Sequence, residues 1–294
     1  MKTGTILNRY SSAFVILVAL ALSGSAAALC LARGMGAQGT TSAQTQASPG
    51  WIVAASTIAL LRRNGASEAL ITGAFDHPTT YVVVRPKIRN SLPNATAVQT
   101  FTSYASLQEA FAASTIAPTT KAILYDDEKW PFTPLEEQRD PVGYATKAAD
   151  LVHRHGLLLI ATPATNLATV DRPRPRNRYD AFLSLNILGG IAKVADILEV
   201  QAQGAQGTPR YAAFVQAASA QAHAANPAVK FYVGMSTNPT GRLVSPQQLF
   251  DDYQATKGYV AGYWLNVPGK SPYCPTCGTP HPEVALSFLQ MLGR

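Results

Sequence analysis

From residue 81 onward, short β-branched runs alternate with longer amphipathic stretches, and few architectures accept that order. The short runs occupy residues 81–85, 97–102, 122–126, 157–162, 197–201, 230–235 and 260–266. The amphipathic stretches occupy 106–113, 141–155, 180–195, 209–225, 245–256 and 282–292. Strands that alternate with helices imply βαβ units and a parallel sheet. Local signals agree with the alternation. Asp140 precedes Pro141 and Ser245 precedes Pro246, each a capping residue followed by proline at the first helical position. Gly156 follows His155, where a helix stops in a left-handed turn.

Residues 51–56 can supply an eighth strand, although 51–61 reads equally well as a helix. A closed barrel and an open doubly wound sheet therefore compete. No nucleotide-type Gly-rich turn follows any strand, and polar residues recur at the C-terminal ends of several strands. In a barrel those ends converge on one mouth, which is where chemistry sits. The expected fold is a single α/β domain over residues 51–294, a (β/α)8 barrel of TIM type with irregular N-terminal strands. A chain with 47% apolar and 14% charged residues is not a disordered one and can fill such a core.

Ahead of the domain, Lys2 and Arg9 precede an apolar run at 13–22, and small residues follow at 23–28. That is the order of a secretory signal peptide. The competing reading of residues 1–30 is an uncleaved membrane anchor, since 14–32 is close to the ~20 residues that span a bilayer. Residues 31–50 are rich in Gly, Ser, Thr, Gln and Ala and read as a disordered spacer. Secretion, or display on the extracytoplasmic surface, is the expected location. The net charge is +7, with the densest basic run at 172–178, interleaved with prolines in a loop. A balance of this kind is poor ground for a nucleic-acid partner, and none is expected.

Four constellations can carry chemistry. The first is Tyr125-Asp126-Asp127-Glu128-Lys129-Trp130, directly after an apolar strand. Like charges raise one another's pKa, as a general acid near neutral pH requires. Alternation puts Asp126 and Glu128 on one side and turns Asp127 away. Trp130 offers a flat apolar face of the kind that sugar rings stack on. The plain alternative is a solvated acidic loop over a packed tryptophan.

In the second, 132–141, Thr133 and Glu136 have capping-box spacing and Pro134 fits the first helical position. Loop ordering is the expected role, with Glu137 or Gln138 free to face a ligand. In the third, Glu199, Gln201 and Gln203 share one face by alternation. Gln201 and Gln203 would rim the mouth above Glu199, or tie strands together as an amide network. In the fourth, Trp264 and Asn266 share a face of the last strand. They suit a sugar subsite, with barrel core as the alternative for Trp264.

Cys274-x-x-Cys277 with His281 hints at zinc, but no fourth ligand is evident, so a local disulfide is expected and no metal. No cofactor motif stands in a fitting context; Gly34-x-Gly36-x-x-Gly39 lies in the spacer, without a strand before it.

The segments 125–130 (YDDEKW), 132–141 (FTPLEEQRDP), 157–167 (LLLIATPATNL), 196–203 (DILEVQAQ) and 262–268 (GYWLNVP), followed by CPTC, occur in one order. Together they resemble a group of secreted proteins of actinobacteria and fungi. The resemblance covers about residues 121–291 and implies a glycosidase-like barrel without a settled substrate. A weaker resemblance is to family 18 chitinases, whose catalytic strand closes on Asp-x-Glu and whose last strand carries a tryptophan under the sugar. Asp126, Glu128 and Trp264 match; the earlier part of that acidic ladder does not, since residues 122–125 stand in its place.

The resulting expectation is a monomeric glycoside hydrolase-like protein with a carbohydrate ligand. Glu128 would be the acid, Asp126 its partner and Glu199 the reserve carboxylate. Tyr125, Asp127, Trp130, Gln201, Gln203, Trp264 and Asn266 would contact substrate. The alternative is a cell-surface carbohydrate-binding barrel without catalysis.

Overall fold

A computed structural model describes residues 49–85 and 89–293. The leader and most of the spacer lie outside the described residues, and so does Gly34-x-Gly36-x-x-Gly39. Eight parallel strands close into a barrel in chain order. They are β1 (Gly50–Ala54), β2 (Thr80–Val83), β3 (Thr96–Phe101), β4 (Ala122–Tyr125), β5 (Leu158–Ala161), β6 (Ile197–Val200), β7 (Lys230–Ser236) and β8 (Gly262–Asn266). The last strand pairs with the first, Gly50 opposite Gly262 and Ile52 opposite Trp264. Among the described residues no helix is long and apolar enough to cross a membrane.

The uncertain segment 51–61 holds both elements: β1 runs directly into a helix, Ala55–Arg63. Two helices correct the sequence reading. The stretch 180–195 is broken into Arg178–Ser184 and Ile187–Ala192, because Asn186 adopts a left-handed backbone at φ 53°. The Thr133–Glu136 capping box does not form. Pro134 itself caps the short helix Leu135–Arg139, and the Thr133 hydroxyl turns to Thr102 O at 2.8 Å.

Two apolar layers follow from strand alternation. Every strand contributes to the barrel interior, which holds Ile52, Tyr81, Val98, Ala122, Leu124, Ile160, Ile197 and Tyr232, with Val83 and Trp264 packed on them. The opposite strand faces join the surrounding helices in a larger cluster that includes Trp51, Val53, Tyr125 and Tyr263. The N-terminal end is plugged by Tyr232, whose hydroxyl donates to Thr79 O at 2.9 Å. Glycine is needed beside it: a Cβ on Gly50 would stand 2.0 Å from the Tyr232 hydroxyl, and one on Gly262 2.3 Å from Gly50 O.

Candidate active site

Along several strands the inward-facing position changes from apolar to polar toward the C-terminal end. On β4 the inward series is Ala122, Leu124, Asp126; on β6 it is Ile197, Glu199, Gln201; on β5, Ile160 gives way to Thr162. The ladder extends past the strands to hold these residues. Asp126 N donates to Phe101 O at 2.8 Å, Thr162 N to Tyr125 O at 3.0 Å, and Gln201 bridges to Ala164.

Gln201 is the fork of the site. Its Nε2 donates one hydrogen to Asp126 Oδ1 at 3.0 Å and the other to Glu128 Oε1 at 2.8 Å. The two carboxylate oxygens are therefore less than ~6 Å apart. Thr162 Oγ1 also donates to Asp126 Oδ1, at 3.1 Å. Asp126 is only 8% exposed, whereas Glu128 is half-buried and reaches the solvent. Burial lifts the pKa of Asp126 well above the ordinary range, and the negative charge of Glu128 adds to it. Burial lifts Glu128 as well, opposed by hydrogen bonds from Gln201 and Asn166 and by the charge of Arg178.

Glu199 lies a layer deeper, fully buried, and neither of its oxygens has a hydrogen-bond partner in the protein. Burial raises its pKa well above the ordinary range, with Asp126 and Glu128 adding to the effect. It stands against Gly234 on β7, where a Cβ would come within 2.8 Å of Glu199 Oε1 and 2.6 Å of the Gln203 amide carbon. Gln203 does not continue the strand face as expected. It opens a 3-10 turn, Gln203–Ala205, and its side chain folds back over Gly234.

Asp127 turns away from the barrel interior, as alternation requires. It is 2% exposed without a partner for either oxygen, and its carboxyl is pushed up to about 8 by burial, Glu137 and Glu128. Tyr125 turns the same way, into the strand–helix layer, and its hydroxyl donates to Glu137. Glu137 also accepts from Tyr104 N at 2.8 Å, and Gln138 donates to Trp130 O and Thr133 O. Glu137 and Gln138 are therefore buried structural ties.

Trp264 stands on β8, diametrically across the closed barrel from β4. It packs on the interior cluster, as the barrel-core reading expects, and remains partly exposed. Asn266, two residues on, is half-buried at the same rim and pairs with Ser236 of β7.

Trp130 belongs to a surface trio. Its indole N–H donates to Thr133 Oγ1 at 2.7 Å, and its ring meets Phe132 at 5.3 Å and Tyr273 at 5.9 Å. Tyr273 comes from the loop after β8, which therefore reaches to the β4 side. Cys274 and Cys277 form a disulfide in that loop. Asn238 anchors it by donating to Pro268 O at 3.1 Å, Cys277 O at 2.6 Å and Thr279 O at 3.2 Å.

A cavity of about 530 Å³ opens beside Lys129, the residue after Glu128, and is lined by Asn166, Tyr179, Gly204 and the basic run. Sequence reasoning missed Thr162, Asn166, Phe132 and Tyr273. Thr162 was within reach of the strand-end rule that found Asp126 and Gln201. Tyr273 carried no signal, because its partners are distant in sequence.

This fold and the polar mouth define a (β/α)8 TIM-barrel protein. No protein-family model and no curated protein matches the chain. Solved structures do. The HMG-CoA lyase from Brucella melitensis is 14% identical, with 84% of this chain and 91% of that one covered and a TM-score of 0.50. The spore cortex-lytic enzyme SleL from Bacillus megaterium is 9% identical over 84% of this chain and 73% of that one, at 0.48. A chitinase from Chromobacterium violaceum is 11% identical over 84% of this chain and all (100%) of that one, at 0.47. What is shared at these identities is the barrel.

Proposed function

We propose that the protein is an exported glycoside hydrolase that cleaves a polysaccharide at the barrel mouth. The observation that carries this reading is the Asp126–Glu128 pair, less than ~6 Å apart and held by one Gln201 amide at the C-terminal ends of β4 and β6. Glu128, the more exposed of the two, is the general acid and gives its proton to the glycosidic oxygen as the carbon–oxygen bond breaks. Like charges this close do not both ionise freely, so the pair shares one proton. Hydrogen bonds from Gln201 and Thr162 favour the charged form of Asp126, which faces the positive charge that develops on the sugar. Water adds to that carbon and a proton returns to Glu128. Retaining pairs stand about 5–5.5 Å apart and inverting pairs about 6.5–9.5 Å, so this spacing leaves little room for a water between the carboxyls. Trp264 floors the sugar, Gln203 and Asn266 orient hydroxyls, and Trp130 offers a stacking face with Phe132 and Tyr273. Glu199 lies beneath the pair, where burial disfavours its charged form. The ordered motifs shared with secreted actinobacterial and fungal barrels, and the Asp-x-Glu spacing shared with family 18 chitinases, support the same reading. Export is supported by the order of charged, apolar and small residues in 1–30.

The test is reducing-end release by the full chain on a polysaccharide panel, repeated with Glu128→Gln. Loss of release by about 100-fold or more is expected. Sugar binding without release, the same in both proteins, would leave a carbohydrate-binding barrel in place of an enzyme.

A further inference from the structure

The basic run that the sequence leaves in a loop folds beside the acid pair. Lys129, Arg172, Arg174, Arg176, Arg178 and Arg210 all line the 530 Å³ cavity. Among the described residues none of the six has a carboxylate within 4.0 Å. Arg178 and Lys129 also act on the charges of Glu128 and Asp171, but six cations on one wall leave a net positive field that attracts an anion. Five of the six are arginines, whose planar forks fit carboxylate and sulfate oxygens in pairs.

The wall is held in shape. Lys129 Nζ donates to Thr169 O at 2.6 Å and to Thr169 Oγ1 at 3.1 Å, which fastens the loop to the β4 side. The Arg178 guanidinium lies over the Tyr179 ring, 5.3 Å from its centre. Arg172 and Arg174 each precede a proline, which restricts them to extended backbone. All five arginines, Arg172, Arg174, Arg176, Arg178 and Arg210, are exposed. The cavity lies next to the acid pair: Lys129 on its wall follows Glu128 in the chain, and Lys129 N donates to Asn166 Oδ1 at 2.8 Å on the same wall. Stacking of nucleic-acid bases needs exposed rings. Tyr179, the aromatic residue in this wall, is 6% exposed and covered by Arg178.

We propose that this wall is a subsite for acidic sugar residues, so that the glycan bound at the mouth is an anionic polysaccharide bearing carboxylate or sulfate groups. The inference rests on the glycan reading of the mouth and names its substrate class.

The test uses the full chain and calorimetric titration with polygalacturonate, chondroitin sulfate, laminarin and a single-stranded DNA oligonucleotide, at about 50 and 300 mM NaCl. The variant is Arg174→Ala with Arg176→Ala, two exposed loop positions. Wild type is expected to bind one of the acidic glycans about tenfold or more tightly than laminarin, with affinity falling as salt rises, and the double variant to lose that preference. Preference for polygalacturonate marks a carboxylate site and preference for chondroitin sulfate a sulfate-accepting one; either supports the proposal. Laminarin bound as tightly as both acidic glycans would overturn it. So would an acidic-glycan affinity untouched in the double variant, or DNA bound as tightly as the better acidic glycan. Reducing-end release is read in parallel on wild type and Glu128→Gln. Arginine-dependent binding without release keeps the subsite and removes the hydrolase. Release from laminarin by a protein with no acidic preference does the reverse.

Discussion

A single amide tempers the protonation of the site. Gln201 spends both hydrogens on Asp126 and Glu128, and each bond favours the charged form of its acceptor. Burial works against it and raises both groups. A catalytic acid must hold its proton, so activity should fall as pH rises through the raised pKa of Glu128, on an alkaline limb above the ordinary carboxylate range. Gln201→Leu removes the opposing bonds and should move that limb to higher pH while lowering kcat; an unmoved limb in the pH–rate profile would mean that Gln201 does not tune Glu128. Asp127 makes a separate prediction, on stability. Its folded pKa is raised to about 8, so the folded protein binds this proton more tightly than the unfolded chain does. Ionisation therefore removes up to about 1.4 kcal/mol per pH unit as pH climbs from about 4, and the loss is complete above the folded pKa. Asp127→Asn should match wild type in Tm near pH 4, exceed it increasingly toward pH 8, and hold a constant lead beyond. A gap that does not change with pH would show that Asp127 ionises freely. Strand alternation alone made Asp126, Glu128 and the outward turn of Asp127 legible in the sequence. Asn166 was not legible, because its link to Glu128 depends on how two loops meet.

At the level of elements, β7 carries the tightest constraint on the site. A methyl group at Gly234 would overlap the Gln203 amide and crowd Glu199. Gly234→Ala should cost about 1–3 kcal/mol in denaturant unfolding and weaken ligand binding, because the rim amide must move. Wild-type stability and affinity would show that Gln203 is free to leave. The loop after β8 behaves differently. Its disulfide links residues three apart, so the chain it closes is short and its removal should cost only about 2 kcal/mol or less. Cys274→Ser with Cys277→Ser should leave a folded barrel with reduced glycan affinity, since Tyr273 is carried by that loop. Unchanged affinity would separate the aromatic trio from binding. Helix starts at Pro141 and Pro246 were legible from proline and capping chemistry. The break at Asn186 was not. Asparagine tolerates the left-handed backbone, but a single one inside an apolar-periodic run does not by itself announce a break; Ile187 and Leu188 are buried directly after it.

For the whole molecule, closure is the feature that most needs explaining. Trp51 of β1 is 1% exposed and meets Phe75, Tyr263 and Phe288 at ring distances of 5.7, 5.9 and 6.3 Å. It thus joins the first strand to the last strand and to the C-terminal helix Pro282–Leu292. Trp51→Ala should cost about 3–5 kcal/mol and lower the Tm of the entire barrel in one transition. A small loss confined to one calorimetric step among several would mean that β1 is a detachable flap. The alternation of strands and helices made the barrel class legible. The eighth strand was ambiguous because β1 turns into a helix without a single loop residue.

The β1–β8 pairing also bears on how the protein is made. β1 leaves the ribosome early, yet its partner on one side is the last strand to be synthesised. Contacts this distant in sequence form slowly, and until β8 arrives the edge of β1 is unpaired. A nascent chain that stops short of Gly262 therefore cannot complete its barrel. Folding of the closed barrel must wait for the end of translation, so the unfinished chain carries an open sheet edge through nearly the whole of its synthesis.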